Sequence, residues 1–125
     1  MTELTAHLSI STEMADKTGN YQLIRFQGDL DKAGLASVKD QLESCTEKLA
    51  EAYLVFDFAK LNFINSESIG FLMTIHARLA KSGKALVLLE MQKNVKDVLA
   101  VIGLLPVLVN YDSLASFLEK ITSQP

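Results

Sequence analysis

Two short runs, Tyr53–Phe58 and Ala85–Leu89, constrain this chain more than any other feature. The first, Tyr53-Leu54-Val55-Phe56-Asp57-Phe58, is apolar on both faces apart from Asp57, and the second is apolar throughout. A strand with one wet face alternates apolar and polar residues. A strand without alternation must be covered on both faces, as at the centre of a parallel sheet. Parallel neighbours need a crossover connection, usually a helix. The segments around the two runs have that period. Leu35, Val38, Leu42, Cys45 and Leu49 line one helical face, and Ile69, Leu72, Met73, His76, Leu79 and Ala80 line another. Val95, Val98, Leu99 and Ile102 predict a third helix, ended by Gly103. Leu114, Phe117, Leu118 and Ile121 predict a fourth, capped by Asp112 or Ser113.

The remaining strands are read from shorter patterns. Leu8, Ile10, Thr12 and Met14 alternate with polar residues, so a half-buried strand near an edge is expected. Gly19-Asn20 signals a turn, and Tyr21–Phe26 then pairs back as a hairpin, broken by Gly28-Asp29-Leu30-Asp31. Val107-Leu108-Val109 after Pro106 makes a short last strand. The order is β-β-α-β-α-β-α-β-α. It predicts an α/β fold: a mixed, mostly parallel central sheet with four helices. Leu54, Val55, Phe56, Ile69, Leu72, Leu86 and Leu88 are the expected core.

A chain of 125 residues suits a single domain over 1–125. Its one cysteine, Cys45, permits no internal disulfide, and its place on an apolar face reads as a small buried hydrophobe. No apolar run is long enough for a membrane span, and Met1–His7 lacks the pattern of a signal peptide. A cytoplasmic protein is expected. The net charge of −3 is interspersed, with no basic stripe for nucleic acid. No dinucleotide fingerprint, phosphate loop or nucleophile elbow is present, and no cofactor is expected. Two histidines, His7 and His76, give little support for a metal site. Asp57 has no second carboxylate, His or glycine-rich loop beside it, so it is expected to bond local backbone at a strand end.

The stretch Phe63-Ile64-Asn65-Ser66-Glu67-Ser68-Ile69-Gly70 joins the first apolar run to the second helix. Asn and Ser there can cap the helix. They also sit where open α/β sheets place functional sites, at the carboxyl end of a strand. Because parallel strands share polarity, Gly28–Lys32, Asn65–Ser68 and Glu90–Asn94 are expected on one rim. Ser66 as a hydrolytic nucleophile would need a base. His76 lies on the same helix, roughly 15 Å along it at 1.5 Å per residue, and cannot serve.

The run from Leu54 to Leu72, the segment Leu79-Ala80-Lys81-Ser82-Gly83-Lys84, and Gly28-Asp29-Leu30-Asp31 after the second strand together resemble the STAS domain. That is the domain of bacterial anti-sigma factor antagonists, shared with the cytoplasmic tails of sulfate transporters. In the antagonists the turn before the second helix reads roughly Asp-Ser-[Ser/Thr]-Gly-[Leu/Ile]-Gly. The serine after the Asp is phosphorylated by the partner anti-sigma factor, a serine kinase. Here Asn65 takes the Asp position, Ser66 the phosphorylated serine, Glu67 the Ser/Thr, Ser68 the first Gly, Ile69 the hydrophobe and Gly70 the second Gly. The resemblance implies a non-enzymatic binding protein, phosphorylated on Ser66. Its implied partner face holds Asp29, Asn65, Ser66, Glu67 and Ser68. Its implied partners are an anti-sigma factor acting as serine kinase, and a serine phosphatase. A second reading stays open, in which the domain is never phosphorylated and serves as a scaffold subunit of a transporter or sensory complex.

Overall fold

The computed structural model describes residues 5–14 and 20–122. Nine elements follow the expected order: β1 (Leu8–Met14), β2 (Tyr21–Leu30), α1 (Lys32–Glu47), β3 (Tyr53–Ile64), α2 (Ser66–Lys81), β4 (Ala85–Leu89), α3 (Lys93–Val101), β5 (Val109–Tyr111) and α4 (Leu114–Thr122). They form one five-stranded sheet in the order β1-β2-β3-β4-β5. The β1–β2 pair is antiparallel and the other three pairs are parallel. The turn expected at Asp16–Asn20 lies outside the described residues except for Asn20, which has φ 50°.

The absence of alternation in β3 and β4 has its physical counterpart in two cores. On one face Ile24, Phe26, Leu54, Phe56, Phe58, Leu86 and Leu88 pack against Leu35, Val38 and Leu42 of α1, Leu72, Ile75 and Leu79 of α2, and Val95 and Leu99 of α3. Phe26 meets Phe56 tilted and Phe58 edge to face, with ring centroids 4.9 and 5.0 Å away, within the preferred aromatic spacing. On the other face Tyr21, Leu23, Val55, Val87 and Leu89 meet Phe117 of α4. All seven expected core residues are buried.

Four expectations are corrected. β2 does not stop at Phe26: it runs through Gly28 and Asp29 to Leu30, with register shifts between Arg25 and Gln27 and between Gly28 and Asp29. Gly28 belongs there because its φ of +120° disfavours any other residue, and a Cβ would lie 1.9 Å from the His7 carbonyl oxygen. β3 likewise continues past Phe58 to Ile64. β5 begins at Val109, two residues later than expected, since Val107 and Leu108 bond back to the Leu104 carbonyl as a turn. Finally, Val98 and Ile102 of the third predicted stripe are exposed, as is Ala80 in the second. Cys45 packs against the larger core but is only partly buried, and that burial pushes the thiol pKa up, with Lys48 pulling the other way. α4 is capped by Ser113, whose hydroxyl accepts from the Ser116 amide at 3.0 Å.

Candidate functional site

β3 is the longest strand, and its pairing with β4 ends at Asp57–Leu89. Beyond that point it is paired with β2 alone, up to Asp29–Phe63 and Leu30–Ile64. β2 and β3 therefore extend past β4 and β5 as a tongue, with β1 still paired to β2 as far as Leu8–Gly28. On its open side α3 substitutes for the missing strand. Gln92 Nε2 donates to the Ala59 carbonyl and to Asn62 Oδ1, each at 3.1 Å, and Asn94 Nδ2 donates to the Asn62 carbonyl at 2.6 Å. The loop after β4 thus reaches the same rim as the ends of β2 and β3.

At the tip the chain turns into α2. Asn65 is its N-cap, with extended backbone (φ −98°, ψ 172°) and Oδ1 accepting from the Ser68 amide at 2.8 Å. Its own N–H donates to the Leu30 carbonyl at 3.0 Å, joining the turn to the end of β2. Ser66 is the first helical residue and Glu67 the second, and both side chains are exposed. Glu67 stands in the first turn, where a carboxylate is favoured by the helix dipole. Asn65 and Asp29 are half-buried.

Ser68 departs from the expected exposed set. It is 1% exposed, and its hydroxyl donates to the Leu30 carbonyl at 3.0 Å. It faces inward and presents no surface to another protein. Phe63, by contrast, is 47% exposed and pairs in register with Asp29. Nothing in the sequence pattern singled it out, because the shift to that face follows from register irregularities in the tongue. The signal available was only a large apolar side chain at the edge of a polar turn.

The α1 start has the same construction. Asp31 caps it, with Oδ1 accepting from the Gly34 amide at 2.8 Å. Asp57 bonds local backbone as expected, Oδ1 accepting from the Ala59 amide at 2.9 Å, but it does so inside β3 and not at a strand end. Its other oxygen faces the Arg25 guanidinium, with Nε 3.4 Å away, and Arg25 also pairs with Glu13. Asp57, Arg25, Gln27 and Lys60, with Ile10 and Phe26, are among the residues that line an open hollow of about 290 Å³ on the sheet face. None of the Asn65–Ser68 residues lines it. His76 is half-buried on α2. Among the described residues no three His, Cys, Asp or Glu side chains are grouped to hold a metal ion. No helix among them is long and apolar enough to cross a membrane.

The arrangement is thus a hydrogen-bonded rim with an exposed hydroxyl at the start of a helix. Known structures share the fold. Over 94% of this chain and 99% of the other, it matches the anti-sigma factor antagonist SpoIIAA in its unphosphorylated form, at TM-score 0.74 and 19% identity. The phosphorylated form of SpoIIAA, a Bacillus cell fate determinant, matches at TM-score 0.67 and 18% identity, over 90% and 99% of the two chains. An anti-sigma factor antagonist from Mycobacterium paratuberculosis matches at TM-score 0.76 and 17% identity, over 92% and 96%. No curated protein sequence matches the chain. The STAS domain family itself matches residues 13–117, which take in β2 through β5 and the Ser66 turn, and on that match the chain belongs to the STAS domain family.

Proposed function

We propose that this STAS domain is a regulatory binding protein of the anti-sigma factor antagonist type, switched by phosphorylation of Ser66. In this reading it has no catalytic activity of its own. Unphosphorylated, it binds an anti-sigma factor that is also its serine kinase, and a serine phosphatase restores it. The partner face comprises Asp29, Asn65, Ser66 and Glu67. Ser68, though expected there from the resemblance, is left out because it is buried.

The observation that carries the reading is the opposite fate of the two serines in one turn. Ser66 is exposed at the helix start, and Ser68 is sealed beneath it. A kinase meets a single acceptor. A phosphate at the start of a helix gains about 0.3–1 kcal/mol from the dipole, so the fold tolerates it. The cost falls on the complex. Phosphoserine adds roughly −1.5 to −2 charges, and each ~1.4 kcal/mol of desolvation or repulsion at an interface is tenfold in affinity. The domain needs only a hydroxyl on a firm support to act as a switch.

One observation favours the scaffold reading: Glu67 keeps a fixed negative charge exposed beside the acceptor. The test is phosphosite mapping with a cognate kinase, together with binding of wild type, Ser66→Ala and Ser66→Asp. The switch predicts phosphate on Ser66 alone, full binding by the alanine variant and weakened binding by the aspartate variant. Equal binding by all three moves the assignment to a scaffold subunit.

A further inference from the structure

We propose that Ser68 is a positioning residue, whose buried hydroxyl ties the Ser66 turn to the end of β2 so that Asp29, Asn65, Ser66 and Glu67 present one rigid surface. Its functional consequence rests on the reading of Ser66 given above. The tie itself does not.

Three hydrogen bonds close a ring. The Asn65 amide donates to the Leu30 carbonyl at 3.0 Å, the Ser68 amide donates to Asn65 Oδ1 at 2.8 Å, and the Ser68 hydroxyl returns to the same Leu30 carbonyl at 3.0 Å. Only the Ser66 and Glu67 side chains project from this ring. Other helical hydroxyls behave differently. Ser37, Thr46 and Thr74 each donate to a carbonyl of their own helix, namely that of Gly34, Leu42 and Gly70. Such bonds hold nothing in place beyond the helix. The Ser68 bond spans 38 positions in sequence and joins two elements. At 1% exposure water does not compete for it.

The family pattern has glycine where this chain has Ser68, and glycine has no side chain with which to make the tie. In this chain the acceptor turn therefore carries a side-chain tie that a glycine at the same position lacks. A partner meets a preformed rim, and a phosphate on Ser66 appears at one fixed position. Loosening the turn lowers the fraction of molecules with the competent geometry, and apparent affinity falls by that fraction.

The test is amide hydrogen exchange by NMR on the full chain, with no kinase present. In Ser68→Ala the amides of Asn65 and of the substituted position should exchange about three- to tenfold faster relative to a core amide such as that of Phe56, the loss expected for one hydrogen bond. Ser68→Gly should do the same or more. Thr74→Ala, which removes a hydroxyl from the same helix, should leave the ratio unchanged. In the wild type the Ser68 hydroxyl proton should itself exchange slowly enough to be seen. An unchanged ratio, or equal acceleration at Phe56, overturns the proposal, because a residue acting only through global stability moves every amide alike. So does a rapidly exchanging Ser68 hydroxyl in the wild type. Because no kinase is involved, a failed tie and a failed phosphorylation switch are separately visible.

Discussion

Leu30 and Ile64 are the last pair of the β2–β3 ladder, and each runs directly into the cap of a helix, Asp31 and Asn65 respectively. The two strand–cap–helix units are thus in register side by side. Their third helical positions are filled differently. Gly34 brings its backbone against the Asp29 carbonyl, and Ser68 reaches the Leu30 carbonyl with its hydroxyl. The first packs on, and the second is hydrogen-bonded to, consecutive residues at the end of β2.

Removing either cap should destabilise the fold to a similar extent. Asn65→Ala and Asp31→Ala are each expected to cost about 1 kcal/mol, or roughly 3–6 °C in Tm for a domain of this size. Thermal unfolding followed by circular dichroism checks this. An unchanged Tm for Asn65→Ala would mean that the turn is held without its cap.

Glycines in the two helices should respond with opposite signs. A Cβ on Gly34 would lie 2.1 Å from the Asp29 carbonyl oxygen, whereas one on Gly70 meets nothing within 4 Å. Gly34→Ala should therefore destabilise by about 1–3 kcal/mol or more. Gly70→Ala, on an exposed helical site, should stabilise by about 0.5–1 kcal/mol. Chemical denaturation of both variants gives the comparison.

Leu88, fully buried in β4, should cost about 2–5 kcal/mol when truncated to alanine. Ser66→Ala, at an exposed position that is not the cap, should stay within about 0.5 kcal/mol of wild type. A comparable loss in both would contradict the separation of core from rim.

Cys45 should be a slow thiol. Burial raises its pKa, so at pH 8 less of it is thiolate than in a free cysteine, and alkylation by iodoacetamide should be slower than in the unfolded chain. The sign for stability follows. The folded state holds this proton more tightly than the unfolded state, so the contribution is complete below the ordinary thiol pKa. It is lost as pH rises from there through the higher folded value. A thiol as reactive in native as in denatured protein would refute its burial.

Much of the architecture was legible in residue order. The periods of two and 3.6 are imposed by local backbone geometry, so the nine elements and their sequence could be read without knowing what touches what. The doubly apolar runs announced a covered parallel sheet for the same reason. Asn65-Ser66 could be recognised as a helix start because capping is a local hydrogen-bonding property. What local pattern could not convey was the tongue. Gly28 to Leu30 looks like a break, and Ala59 to Phe63 has no clean alternation. They form strands because they pair with each other, and Gly28 with Leu8 as well, one of the two register shifts falling where Gly28 turns at +120°.

The expected core was buried, but the exposure of side chains at the edges of the helices was out of reach. Val98 and Ile102 have the spacing of a buried stripe, but α3 lies at the end of the helical layer and turns only Val95 and Leu99 inward. The two serines of the turn differ by two positions and by nothing else in composition. Periodicity and capping chemistry, being local, settled the elements and the place of the turn. The Leu30 carbonyl, brought there by a strand 38 residues earlier, settled which serine faces the solvent and which is locked inside.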